Sequence, residues 1–265
     1  IDVYGKISSN LISLFSKSDL KISYHKFQSY YIFKYPIKRK NKPEYGESLA
    51  VENRMLLLEP LDISFKNYKP NIYMKQYELD CAKTYLESLN IDLKKPLIMI
   101  GVLGSNLNKT YPFNYMAKIL DTIVDSKPNV QILFNYIPNQ KKDATTVFNL
   151  CKQKTQYHIH FNVYGKNLRE FLSITSYCDA LIGNEGGANN IAKALQIPTF
   201  TIFSPYLNKH NWFGEVETKK HVAIHLKDYV DYNVNEAKQD IETYYNKLKP
   251  SLFTEKLKFF IKKFN

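Results

Sequence analysis

The sequence predicts an α/β protein built on a parallel β-sheet with helices over both faces. Three observations carry that prediction. Apolar runs such as Leu97–Val102, Val130–Tyr136 and Thr199–Phe203 are nearly continuous rather than alternating, as strands buried on both faces must be. Segments with apolar residues at helical spacing separate these runs. Glycine and proline punctuate the joints, most clearly at Gly183–Gly187, Pro112 and Pro198.

Taken in order, residues 1–4 read as a strand and Lys6–Ser16 as a helix carrying Ile7, Leu11, Ile12, Leu14 and Phe15. Leu20–Tyr24 is a short strand. The stretch from His25 to Gly46 is aromatic and basic and is broken by Pro36 and Pro43, so a long loop is expected. Glu47–Leu58 is helical, Leu61–Lys75 is a connection containing Pro70, and Gln76–Leu89 is helical. From Pro96 the pattern becomes regular: strand Leu97–Val102, loop Leu103–Thr110, helix Pro112–Val124 with proline at its first position, strand Val130–Tyr136 and helix Lys141–Lys152. Strand Ile159–Phe161, helix Leu168–Tyr177 and strand Ala180–Ile182 follow, then a glycine turn, a helix, and strands at Thr199–Phe203 and His221–Leu226. The tail is expected to be helical over Glu236–Leu248 and Leu252–Phe264, with a break at Pro250.

Composition narrows the class. A chain of 265 residues with 44% hydrophobic content can bury a proper core, so disorder is excluded. No apolar run is long enough to span a bilayer as a helix, and no signal-peptide pattern appears. The sequence opens on IDVYG rather than Met, from which an amino-terminal piece of the fold is expected to lie outside it. Cys81, Cys151 and Cys178 are too sparse for a disulfide framework or a zinc site and fit a reducing cytoplasm. The formal charge of +12 favours an acidic partner: nucleic acid, an anionic membrane surface or a phosphorylated substrate. No RNA-binding or helix-turn-helix signature supports the first of these.

Two loops carry the chemistry. Gly104–Pro112 (GSNLNKTYP) joins a buried strand to a helix and offers Ser105, Asn106, Lys109 and Thr110 as hydroxyl, amide and ammonium donors suited to phosphate oxygens. It has neither the P-loop order nor the dinucleotide fingerprint, and a lysine in such a loop alone is usually a solvated charge. Gly183–Gly187 (GNEGG) precedes a helix whose first N–H groups and dipole form a seat for an anion. Taken alone, a glycine pair there serves equally as a structural turn. In a parallel sheet both loops fall at the carboxyl ends of the strands, where ligands bind.

Taken together, Lys109–Thr110–Tyr111–Pro112, then Gly183 to Asn190, then Ser204–Pro205 resemble glycosyltransferase family 9, the ADP-heptose:lipopolysaccharide heptosyltransferase family. Asp2, Gly5 and Ser9 resemble a further run of that family, Asp-x-x-Gly followed by a serine-bearing helix. The resemblance implies a GT-B fold, two Rossmann-like domains with a cleft between them, the amino domain being incomplete here. The expected division is 1–75 on the acceptor side, 76–248 for the nucleotide-sugar, and 249–265 as a terminal helix crossing back to the amino domain. It implies a metal-independent enzyme with no cofactor, a nucleotide-sugar donor (ADP-heptose), an anionic glycolipid acceptor, no nucleic acid partner, and a cytoplasmic location with peripheral contact at the inner membrane. The donor-side residues would be Ser105, Lys109, Thr110, Glu185, Gly186, Gly187, Ala188 and Asn190. Lys6 and Ser9, with the basic loop Lys34–Lys42, would face the acceptor, and Lys209 and Trp212 would line the cleft. The family's catalytic Asp follows a glycine-rich loop nearer the amino terminus, and no such role is given to Asp2.

The chain departs from the family pattern at three positions. Asn190 stands where His is usual, Gly186 where Ser or Thr is usual, and Glu185 where Asp is usual. Asn keeps a donor without a titratable charge, glycine loses a hydroxyl, and Glu keeps the carboxylate with a longer reach. Glu185 could accept hydrogen bonds from donor hydroxyls or merely cap the helix that follows. A sugar-nucleotide or glycan-binding protein without transfer activity is the alternative these departures leave open.

Overall fold

A computed structural model describes residues 1–27, 30–66, 70–214 and 220–264. The chain divides into two compact units, Ile1–Tyr68 with His210–Thr218, and Lys69–Lys209 with Lys219–Asn265. The expected divisions 76–248 and 249–265 fall in the second unit, apart from the residues between Lys209 and Lys219.

The first unit holds helix α1 (Ile7–Phe15), strands β1 (Ile22–Tyr24) and β2 (Tyr35–Ile37), and helix α2 (Leu49–Leu56). The strand expected over 1–4 is reduced to one bridge, Asp2 with Ser23. Strand β2 lies inside the expected loop. Pro36 hid it, because proline is tolerated only where its missing N–H is not needed, as in this two-stranded parallel pairing with β1. Ile22, Tyr24 and Leu57 form a small core against which Leu20, Tyr35 and Ile37 pack. Arg39 lies 3.9 Å from the Tyr24 ring centroid. The buried Glu52 carboxylate accepts the N–H groups of Glu44, Tyr45 and Glu47 and so sets the course of the loop before α2. Helix α1 inverts the usual arrangement: Asn10 is its buried residue, while Phe15 is 81% exposed and Ile7 and Ile12 also face outward.

The second unit contains α3 (Gln76–Ser88), β3 (Leu97–Gly101), α4 (Phe113–Ser126), β4 (Gln131–Asn135), α5 (Lys141–Leu150), α6 (Gln153–Gln156) and β5 (Ile159–His160). It continues with α7 (Leu168–Ser176), β6 (Ala180–Asn184), α8 (Gly187–Ala194), β7 (Thr199–Ile202), β8 (His221–Ile224), α9 (Val234–Gln239), α10 (Ile241–Lys247) and α11 (Thr254–Ile261). The strands form one parallel six-stranded sheet in the order β5-β4-β3-β6-β7-β8. The chain winds outward one way from β3 and the other way from β6, so the strand order reverses between these two neighbours. Alternation along β3 serves both faces: Ile98 and Ile100 pack with α4, α5 and α11, and Leu97 and Met99 pack with α3 and α7.

Two further differences from the sequence reading have local causes. The helix expected over 236–248 is two helices, because Asp240 leaves helical conformation and accepts the Thr243 N–H as cap of α10. The terminal helix, expected to cross back to the amino domain, belongs to the second unit. Phe253, Leu257, Phe260 and Ile261 are buried in the same core as Phe200 and Leu120, which uses the apolar side of α11 there.

Candidate functional site

The reversal point places the ends of β3 and β6 side by side, in register from Ile98 with Ala180 to Gly101 with Gly183. Gly183 has a φ of +144°, and a β-carbon there would stand 2.3 Å from the Gly101 carbonyl oxygen, so only glycine permits this approach. Beyond these glycines the two loops singled out by the sequence leave the sheet together.

The first loop is held as a rigid piece. The Thr110 hydroxyl donates to the Asn106 carbonyl at 2.8 Å and accepts the Gly104 N–H at 3.0 Å. Thr110 is buried and its single proton is committed within the turn. The loop is fastened from outside by Gln140 Nε2 on the Gly104 carbonyl at 2.8 Å and by the Ser204 hydroxyl on the Asn108 carbonyl at 2.8 Å. A β-carbon on Gly104 would fall 2.2 Å from the Lys109 carbonyl oxygen, so the loop closes tightly on itself. Ser105 is exposed on its outer side.

Lys109 leaves this loop and reaches the second one. Its Nζ lies 3.0 Å from Oε1 of Glu185, with the lysine side chain 29% and the glutamate side chain 7% exposed. Glu185 opens the turn before α8. Gly186, the N-cap of α8, has no side chain to satisfy the first-turn N–H groups. A β-carbon at either Gly186 or Gly187 would meet nothing within 4 Å, so there is open space beside these residues. Ala188 is half-buried and Asn190 is exposed on the same turn. An ammonium, a carboxylate and an uncapped helix entrance therefore share one spot at the carboxyl edge of the sheet, an arrangement suited to an anionic ligand bearing hydroxyls.

Several residues of this neighbourhood were not picked out by sequence reasoning. Asn184, at the last position of β6, is buried and bridges the two loops, and Asn189 Nδ2 donates to its carbonyl at 2.6 Å. Asn189 in turn accepts the Thr201 hydroxyl at 2.8 Å, so the inward-facing asparagine is 189, not 190. The pairing of consecutive asparagines was the available signal, because only one of two neighbours on a helix can face the sheet. Tyr111 is fully buried, with its hydroxyl on the Leu248 carbonyl and its ring 6.3 Å from that of Phe253. Burial raises the pKa of Tyr111 and of Tyr245, so both stay neutral. At the end of β8, His225 is buried and its imidazole is pushed down to about 4 by that burial. Lys209 and Lys227 add to the effect and Asp228, the partner of Lys209, opposes it.

The residues expected on the acceptor side lie in the first unit. Ser9 donates to Asp2 Oδ2 at 2.7 Å and accepts the Lys6 N–H at 3.0 Å, and Lys6 Nζ lies 4.4 Å from the Tyr4 ring centroid. Partial burial works against the Asp2 carboxylate, but hydrogen bonds from Gly5, Ser9 and Tyr4 outweigh it and hold its pKa below the usual value. Lys209 and Trp212, read together from the sequence, fall in different units. Among the described residues, no group of three or more His, Cys, Asp or Glu side chains is placed to hold a metal ion.

A family model described as glycosyltransferase family 9 (heptosyltransferase) matches residues 1–235. The chain belongs to glycosyltransferase family 9. It is 25% identical over 234 residues to lipopolysaccharide heptosyltransferase 1 of Campylobacter coli, a match covering 80% of this chain and 63% of that protein. Among solved structures it is similar to the family 9 glycosyl transferase of Veillonella parvula DSM 2008, with a TM-score of 0.76 at 13% identity over 99% of this chain and 73% of that one. It is also similar to E. coli ADP-heptose lipopolysaccharide heptosyltransferase II, with a TM-score of 0.61 at 14% identity over 91% of this chain and 74% of the other. These likenesses show the GT-B fold of the heptosyltransferases. In a family 9 chain, the meeting of Lys109 with the Glu185–Gly187 turn is the feature to be explained chemically.

Proposed function

We propose that this chain carries the donor site of a glycosyltransferase that moves heptose from ADP-heptose to an anionic glycolipid acceptor of the lipopolysaccharide core. The observation that carries the reading is the 3.0 Å approach of Lys109 to Glu185 beside the uncapped entrance of α8. The donor's diphosphate would sit against the N–H groups of Gly186, Gly187 and Ala188, with the Lys109 ammonium shared between phosphate and Glu185. Ser105 and Asn190, both exposed beside this seat, would reach the same ligand. As the bond from sugar to phosphate breaks, negative charge builds on the leaving diphosphate and oxocarbenium character on the sugar. Cationic and N–H groups fixed at the phosphate stabilise that state more than the ground state, which makes the reaction metal-independent in this reading. Glu185, positioned by Lys109, would accept hydrogen bonds from donor hydroxyls.

In the first unit, Lys6, Ser9 and the loop Lys34–Lys42 would meet the acceptor's anionic groups. The location that suits this substrate is cytoplasmic, with contact at the inner face of the inner membrane. No helix among the described residues is long and apolar enough to cross a membrane.

The test is calorimetric titration with ADP, together with release of ADP from ADP-heptose in the presence of a Kdo-lipid acceptor. Lys109→Ala removes a charge-assisted contact of about 1.5–3 kcal/mol and should weaken ADP binding roughly 10- to 100-fold. Unchanged affinity would remove the phosphate site. Gly186 and Asn190, which lack the family's hydroxyl and imidazole, favour a second reading as a sugar-nucleotide-binding homologue. That reading predicts ADP binding without turnover.

A further inference from the structure

Asn184 is 4% exposed and ends β6 at the point where the sheet order reverses. Its Nδ2 donates to the Gly101 carbonyl at 2.9 Å and to the Val102 carbonyl at 3.0 Å, and its Oδ1 accepts the Tyr111 N–H at 2.6 Å. The amide can point only one way, because the flipped orientation would set its oxygen against two carbonyls and its nitrogen against an N–H. Both of its protons are thereby committed to main chain, which leaves none for a ligand.

The three partners are the first and last fixed points of the segment that carries Lys109. Gly101 and Val102 lie where the chain leaves β3, and Tyr111 lies one residue before the proline that begins the next helix. The residue following Asn184 is Glu185, and the next two are the open glycines. One side chain thus joins both ends of the lysine loop to the strand that delivers the carboxylate and the uncapped amides.

We infer that Asn184 is a positioning residue that fixes Lys109 against Glu185 and the α8 entrance, and so sets donor affinity without touching the donor. The inference rests on the diphosphate reading above, but its physical core, the clamp on residues 101–111, does not. Asn184→Asp is nearly isosteric and faces a carboxylate oxygen toward the Gly101 and Val102 carbonyls. Asn184→Ser withdraws the reach of the side chain.

The experiment has two readouts. In hydrogen exchange on the whole chain, Asn184→Ser should lose protection at the Tyr111 amide and across residues 103–110, and Asn184→Asp, which keeps an acceptor for Tyr111, across residues 103–110, while β4 and β7 keep theirs. In titration with ADP, Asn184→Ser should weaken binding about tenfold in the otherwise native chain, and by less than about twofold when Lys109→Ala is already present, because a residue acting through Lys109 has nothing left to position. Unchanged protection at Tyr111 in Asn184→Ser, or equal losses with and without Lys109, would overturn the inference. So would failure of both variants to fold, since a clamp confined to the loop predicts an intact sheet. Absence of ADP binding by the native chain would instead defeat the diphosphate reading, and the exchange result would still decide the clamp.

Discussion

Gly104→Ala is the sharpest probe of the lysine loop. A β-carbon there would lie 2.2 Å from the Lys109 carbonyl oxygen, 2.5 Å from its carbonyl carbon and 2.9 Å from its Cβ. Ordinary contact needs about 3.5 Å, so the Lys109 backbone must move by roughly 1 Å. The Lys109–Glu185 separation of 3.0 Å would then grow to about 4 Å. At an effective dielectric constant near 20, that lengthening costs the folded chain about 1.4 kcal/mol, on top of roughly 1–3 kcal/mol for crowding a closed turn. Urea unfolding of the variant should show a lower midpoint with unchanged slope, and titration should show weaker ADP binding because Lys109 is displaced. Native affinity and an unchanged midpoint would mean that the loop gives way without moving Lys109, and the argument from its rigidity would fail.

Three more outcomes follow from the same structure. Gly187→Ala meets no atom within 4 Å and lies in the first turn of α8, so stability should stay level or rise by up to about 1 kcal/mol while ADP affinity falls; a parallel loss of both would place the glycine in the scaffold. His225 has a folded pKa of about 4, below its ordinary value of 6.5, so the unfolded chain binds the extra proton between these pH values and stability falls as pH drops from 6.5 toward 4. The contribution is about 3 kcal/mol, and His225→Gln should flatten urea midpoints measured across that window. Burial pushes the Cys151 thiol up to about 12 and raises that of Cys178, whereas Cys81 is exposed, so a thiol reagent on the native chain should label Cys81 rapidly and the other two only on unfolding.

The parallel sheet was legible because its strands are apolar without alternation, and the two loops were legible because glycine, proline and lysine sit at strand ends. What the sequence hid was of another kind. Thr110 has the composition of a ligand-binding residue, yet its hydroxyl closes its own turn, and nothing in a string of residues separates these uses. Asn184 drew no separate reading inside the Gly183–Gly187 turn, because its role depends on which strand lies beside β6, a long-range fact. Pro36 masked β2, and the amphipathic pattern of α11 gave its buried side without saying which unit buries it. Pattern yields local structure and one face. Partners across the sheet come only from topology.

The reach of Tyr111 across the unit bears on how the protein is made. Its hydroxyl bonds to the Leu248 carbonyl, 137 residues further along, and its ring rests among Tyr245 and Phe253. During synthesis, therefore, the lysine-bearing loop waits for the segment 245–253 before its neighbouring tyrosine can be buried and satisfied. A nascent chain halted before residue 248 should carry an assembled sheet with the turn beside Tyr111 still unfastened.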